Sequence, residues 1–186
     1  MSPRRKHDQY FTPESAVAEL LKRVPISPHH RVLEPCAGSG NIAVPLICHG
    51  CDVATNDIDP AMPADTHEDA ADVQWWQLGL YDPRSGDVPR VFDWAVSNPP
   101  FSRAHQIVPL AYEHARLGVA MLLRLSFLEP VANRAEFLHT FPPTHLVVLP
   151  RISFTGNGKT DSVTCAWMVW IKDGIPSDVH VVPRAR

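Results

Sequence analysis

Asn98, Pro99, Pro100 and Phe101 form a run suited to capturing a planar amine. Asn98 brings an amide oxygen, and the backbone brings carbonyls while neither proline has an N–H to donate. Two consecutive prolines restrict φ twice and hold the residue before each of them extended, so the acceptors are aimed before a ligand arrives. Phe101 adds a flat face. An sp² amine lying on that face, with its two N–H bonds accepted by Asn98 and the Pro99 carbonyl, is the group this arrangement fits. The same residues also read as a proline-rich turn leaving a strand, and the rest of the chain decides between the two.

A second group of residues reads as a nucleotide site. Arg31-Val32-Leu33-Glu34-Pro35 has the apolar character of a short buried strand, and Cys36-Ala37-Gly38-Ser39-Gly40-Asn41 follows it before a helical run to about His49. Strand, glycine loop and helix open a nucleotide-binding α/β unit, in which Gly38 and Gly40 let a ligand approach the backbone. The next predicted strand, Cys51 to Asn56, ends in Asp57-Ile58-Asp59-Pro60. An acid there is placed to grip a ribose diol, and Ile58 can lie against an adenine ring. Asp57 also reads as a cap for a helix after Pro60.

The elements that must position these groups follow from periodicity and punctuation. Thr12 is placed as an N-cap with Pro13 at the first helical position, opening a helix to about Arg23 whose apolar face is Val17, Leu20, Leu21 and Val24. Ala61 to Ala71 is acidic and alanine-rich and reads as a short helix. Val73 to Leu78 reads as a third strand, its paired tryptophans serving packing. Val91 to Ser97 is the fourth, and it delivers Asn98 at its C-terminal end. Ser102 is placed to cap a helix to about Arg116 that Pro109 should kink or restart. Gly118 to Leu123 is the fifth strand, Glu129 to Thr140 is helical, and His145 to Leu149 is the sixth. The polar, glycine-containing loop from Arg151 to Thr160 leads to a seventh over Val163 to Ile171, and so short a link predicts an antiparallel hairpin.

Composition bounds the rest. With 186 residues, 45% of them hydrophobic, the chain can bury one sizeable core, and we read a single domain with a flexible basic start at 1–7 and a tail at 174–186. The net charge of −3 is unevenly spread: Asp52 to Asp72 holds acids and no Lys or Arg, whereas bases exceed acids from Asn98 to Lys159. No apolar run reaches a membrane span and no h-region follows the basic start, so the expected location is the cytoplasm. The four cysteines include a lone Cys48-His49-Gly50-Cys51 with no second ligand pair. That pattern reads as a helix end with Gly50 as the terminating residue, and no metal is expected.

Taken together, Asp8-Gln9-Tyr10-Phe11-Thr12-Pro13, Leu33 to Asn41, Asn56-Asp57-Ile58-Asp59-Pro60 and Asn98-Pro99-Pro100-Phe101 resemble, in order and spacing, the S-adenosylmethionine-dependent amino-methyltransferases of the adenine-N6 DNA type. The likeness covers about residues 8 to 171. It implies an α/β, Rossmann-like class I methyltransferase domain with a seven-stranded sheet, six strands parallel and one reversed, and helices on both faces. It also implies S-adenosyl-L-methionine as cofactor, its amino-acid end near Tyr10, Phe11, Thr12 and the loop of Pro35, Ala37, Gly38, Gly40 and Asn41, with Glu34 close to the ammonium. Asp57 would hold the ribose and Ile58 touch the adenine. Leu80 stands where the family commonly has an acid for the cofactor's adenine amine, and Asp82 is the substitute. Sequence-specific relatives carry an added recognition domain, for which the chain has no room, so the expected partner is DNA, read with low or short specificity or through a partner subunit.

The chemistry expected is methyl transfer to an adenine N6 amine flipped from a duplex or already single-stranded, stacked on Phe101. Phe154 either covers the base's other face or belongs to the core. Arg103, Arg124, Arg151 and Lys159 are candidates for phosphate contacts. The same pocket could take a guanine N2 amine or adenine in RNA, or a protein glutamine amide. From another class, the chain could be a non-catalytic methyltransferase-fold subunit that binds nucleic acid or regulates.

Overall fold

The computed structural model describes residues 12–79, 91–150 and 163–172. Helix α1 is Glu14–Leu21, α2 Ala43–His49, α3 Ala104–His114 and α4 Ala135–Thr140. Strands β1 (Arg31–Glu34), β2 (Asp52–Thr55), β3 (Trp94–Ser97), β4 (Gly118–Arg124), β5 (His145–Val148) and β6 (Cys165–Ile171) form one sheet in the order β2-β1-β3-β4-β6-β5. β2, β1, β3 and β4 pair in parallel, and β6 runs antiparallel to both β4 and β5. The hairpin expected from the short final link is therefore present.

Alternation along the strands splits the core into two layers. Val32, Trp94, Val96, Ala120 and Leu122 face one side, against α1 and α2. Leu33, Ala95, Val119, Met121 and Leu123 face the other, against α3, α4 and the paired tryptophans. Helix α1 is tied to the sheet by the Trp167 indole, which donates to the Ala16 carbonyl at 2.8 Å. That bond sets where Thr12, two residues before the helix, must lie.

Several expectations need correction. Among the described residues the sheet has six strands, and the segment read as a third strand is instead a π-helical turn at Trp75–Gly79. Trp75 and Trp76 are both buried in the same core layer, with rings 5.0 Å apart in edge-to-face contact. A strand would point these neighbours to opposite faces, whereas a helical turn lets both face the core. The place beside β2 is taken by a single parallel bridge from Asn56 to Thr66, with Asp65 accepting from the Thr55 amide and hydroxyl. This extended pairing is also why 61–71 forms turns and no helix. Helix α3 begins after Arg103, one residue later than Ser102 would place it, and continues through Pro109 because Ile107, Val108 and Ala111 bury its face. The helix expected from Glu129 is shorter, a 3₁₀ turn at Leu125–Leu128 preceding α4.

Candidate active site

The C-terminal ends of β1, β2, β3 and β4 lie along one edge of the sheet, and β1 and β3 are the neighbours at which strand order reverses. Such a switch point leaves a crevice for ligands. A candidate group stands at or just beyond the C-terminal end of each of the four strands: Glu34, Asp57, Asn98 and Arg124.

From β1 the chain enters the glycine loop. Gly38 and Gly40 adopt positive φ of 53° and 82°, and a Cβ at Gly38 would meet no atom within 4 Å, so open space adjoins the loop. Asn56, fully buried, holds this loop to β2. Its carbonyl accepts from the Ala37 amide and its amide donates to the Glu34 carbonyl. Its side chain donates to the Pro35 and Glu68 carbonyls and accepts from the Thr66 hydroxyl and Glu68 amide. Every hydrogen-bonding atom of that amide is used, which makes Asn56 a structural hub. Sequence reasoning gave it no role, although an Asn ending a buried strand is a signal that its side chain serves backbone.

Asp57 is also engaged with backbone. One carboxylate oxygen accepts from the Gly38 amide at 2.7 Å, and the other from its near neighbour Asp59 at 2.9 Å. It thus pins the glycine loop to the end of β2, a role the ribose reading did not include. Each oxygen keeps a further lone pair for a ligand hydroxyl. Next to it Ile58 is 47% exposed, an apolar side chain open to solvent beyond the end of β2.

Glu34 is 1% exposed, and its Oε2 has no hydrogen-bond partner among the described residues. Burial pushes its carboxyl well above the usual 4.5, opposed by a bond from the Ala43 amide and reinforced by the nearby Asp57 charge. Cys36 shares this surrounding: burial first, then Asp57 and Glu34, raise its thiol far out of the nucleophilic range. Asn41 and Gly40 line a groove of about 750 Å³ between α1 and α2, together with Thr12, Pro13 and Ser39.

At the end of β3, Asn98 donates through Nδ2 to the Thr12 hydroxyl at 3.1 Å. Thr12 is therefore no helix cap; Pro13 occupies the N-cap position of α1, without a side-chain cap bond. The reason lies in the tertiary placement of α1, which turns the 5% exposed Thr12 toward β3. Pro99 is buried, and the Pro100 carbonyl accepts from the Arg103 amide, closing a turn into α3. Phe101 packs partly against both core layers, and the Arg124 guanidinium carbon lies 4.5 Å from its ring centroid. Arg103 points elsewhere: its guanidinium donates to Asp69 at 2.9 Å and to Gln106. Tyr10, Phe11, Asp82, Arg151, Phe154 and Lys159, also expected at the site, lie outside the described residues. Among the described residues no cluster of three or more His, Cys, Asp or Glu is arranged to hold a metal.

No protein-family model matches the chain. No curated protein matches it in sequence. Solved structures do share its fold. The type I restriction-modification methyltransferase subunit of Streptococcus thermophilus superposes with a TM-score of 0.65 at 12% identity, over 89% of this chain and 45% of that one. The 23S rRNA methyltransferase ErmE gives 0.60 at 17%, over 90% and 71%. A Listeria monocytogenes protein assigned to the class I S-adenosylmethionine-dependent methyltransferases gives 0.58 at 14%, over 98% and 65%. The chain thus spans under half the length of the type I subunit. These likenesses give the chain the Rossmann-like fold of the S-adenosylmethionine-dependent methyltransferases.

Proposed function

We propose that the chain is an S-adenosylmethionine-dependent methyltransferase acting on the N6 amine of adenine in DNA. The observation that carries this reading is the bond from Asn98 Nδ2 to Thr12, which orients the amide so that Oδ1 is its acceptor end for an incoming N–H. An adenine amine is a poor nucleophile because its lone pair is delocalised into the ring. When Asn98 Oδ1 and the Pro99 carbonyl accept its two N–H bonds, the nitrogen is drawn toward tetrahedral geometry and the lone pair is returned for attack. The cofactor, when bound, supplies an electrophilic methyl group on a sulfonium whose departure leaves a neutral thioether. The amine gives up one proton to solvent as the new C–N bond forms.

The residues present fit that cofactor. Glu34 Oε2 is a buried acceptor without a partner among the described residues, which a cationic ammonium would satisfy. Space adjoins Gly38, Asp57 has lone pairs for ribose hydroxyls, and Ile58 is exposed beside it. Thr12, Pro35, Ala37, Gly40 and Asn41 would form the remaining wall, with Tyr10, Phe11 and Asp82 as further members. Phe101 would receive the target base, which a duplex must flip out. Arg151, Phe154 and Lys159 would contact the strand, while Arg103, paired with Asp69, would need to exchange partners to join them.

The likeness to a methyltransferase subunit of a type I restriction-modification system supports DNA as substrate and a partner subunit as the source of recognition. A second reading, the same chemistry on an RNA base, is favoured by the likeness to ErmE. The purified chain should be incubated with methyl-labelled cofactor and, separately, single-stranded DNA, duplex DNA, RNA and protein. Label recovered as N6-methyladenine in DNA supports the proposal, and label confined to RNA moves the substrate to the second reading. Absence of label, together with absence of cofactor binding by calorimetry, rejects an enzyme in favour of a non-catalytic subunit. Modified DNA should show little or short sequence context; one fixed motif of about five or more bases would contradict that part.

A further inference from the structure

Arg124 ends β4 next to the Asn98 run, and its guanidinium lies across the ring assigned to the target base, 4.5 Å from the Phe101 centroid. Its Nε is buried and has no hydrogen-bond acceptor among the described residues. These two facts pull in different directions. The cation is attracted to the ring face, worth on the order of twofold to fivefold in a binding equilibrium at a partly exposed site. Yet one of its five donors is left unsatisfied there, so the position is not the best one available to a guanidinium. A nucleobase stacked on an aromatic side chain is worth roughly fivefold to a hundredfold, more than the cation it would displace. A displaced Arg124 would need an acceptor at the same edge of the sheet, and a nucleic acid brings one with every nucleotide.

We infer that Arg124 and the target base compete for the same face of Phe101, and that the displaced guanidinium then holds a phosphodiester oxygen of the strand that carries the base. This rests on the adenine methyltransferase reading, which assigns Phe101 to the base. Arg124 thereby links stacking to backbone capture: a base without its phosphate gains the ring but leaves the guanidinium without a partner. The device favours a nucleotide within a strand over a free nucleoside.

The probe is a single-stranded thymidine oligomer with one central 2-aminopurine, its fluorescence and anisotropy followed against salt concentration, with 2-aminopurine deoxyriboside as the phosphate-free counterpart. Arg124→Met keeps the stem and removes the charge and the planar fork, and Arg124→Lys restores the charge alone. Arg124→Met should weaken oligomer binding about tenfold and reduce the slope of log affinity against log salt by about one. The deoxyriboside should bind that variant about twofold to fivefold more tightly, because the base no longer has to displace the guanidinium from the ring. Arg124→Lys should recover the salt slope. A salt slope unchanged by Arg124→Met, or equal weakening of oligomer and deoxyriboside, overturns the inference. If the unaltered chain binds the oligomer in this way but binds no cofactor and transfers no methyl group to any substrate, the methyltransferase reading falls while the competition for the Phe101 ring stands as a mode of nucleotide binding. If it binds neither probe, the Arg124 inference falls, and the methyltransferase reading is decided by methyl transfer and cofactor binding.

Discussion

Thr12→Val tests whether the Asn98 amide is held by its neighbour or merely lies beside it. Valine replaces the hydroxyl with a methyl of nearly the same shape in a 5% exposed position, so the packing changes little and the 3.1 Å bond is lost. Losing one bond from this half-buried amide costs about 0.5–1.5 kcal/mol, and thermal or denaturant unfolding should show a loss of that size. The effect on the reaction is separate. Without the Thr12 acceptor the preference for this orientation weakens, and the amide more often turns end for end and presents N–H to the amine it should accept from. Losing an orienting preference of about 1–2 kcal/mol lowers kcat about fivefold to thirtyfold. Asn98→Ala removes the acceptor itself and should cost about a hundredfold to a thousandfold, the range for a lost electrostatic stabiliser. Methyl transfer to adenine-containing single-stranded DNA at saturating cofactor reads both, and calorimetry reads cofactor affinity. Thr12→Ser keeps the hydroxyl and should restore kcat. In the Asn98→Ala background the Thr12→Val change should have no further effect on kcat, because the two act as one unit. If Thr12→Val weakens cofactor binding and spares kcat, Thr12 serves the cofactor directly and the orienting argument is wrong.

Glu34 should make both stability and cofactor binding depend on pH. Its folded pKa is raised by burial, so the folded chain holds a proton that the unfolded chain releases near 4.5; stability falls as pH rises from there to the folded pKa and then levels off. An ammonium beside it would favour the charged form, so cofactor binding should release a proton and tighten with rising pH through the same window. Calorimetry in buffers of different ionisation enthalpy would detect that proton, and its persistence in Glu34→Gln would rule Glu34 out as the source. Asp57→Ala should weaken cofactor binding and also destabilise the fold by about 1.5–3 kcal/mol, because it removes a charge-assisted bond to Gly38. Unfolding curves identical to those of the unaltered chain would show that the loop does not depend on Asp57.

Much of the scaffold is legible along the chain. Strands read from short apolar runs, helices from the spacing of Val17, Leu20 and Leu21, and the reversal of the last strand from the short link before it, because each rests on local periodicity or chain length. The glycine loop and Asp57 were placed at consecutive strand ends by the same reasoning, and the structure puts them there. What the chain did not disclose depends on partners distant in sequence. Trp75 and Trp76 have high strand propensity, but one core layer takes both side chains, and a helical turn is the backbone that allows it. Thr12 has the type and position of a cap, yet a bond spanning 86 residues turns it to Asn98, because Trp167 fixes where α1 sits. Arg103 and Arg124 are alike as isolated cations. Asp69 claims the first and the Phe101 ring the second, and only the packing of the strand ends against the loops beside them separates the two.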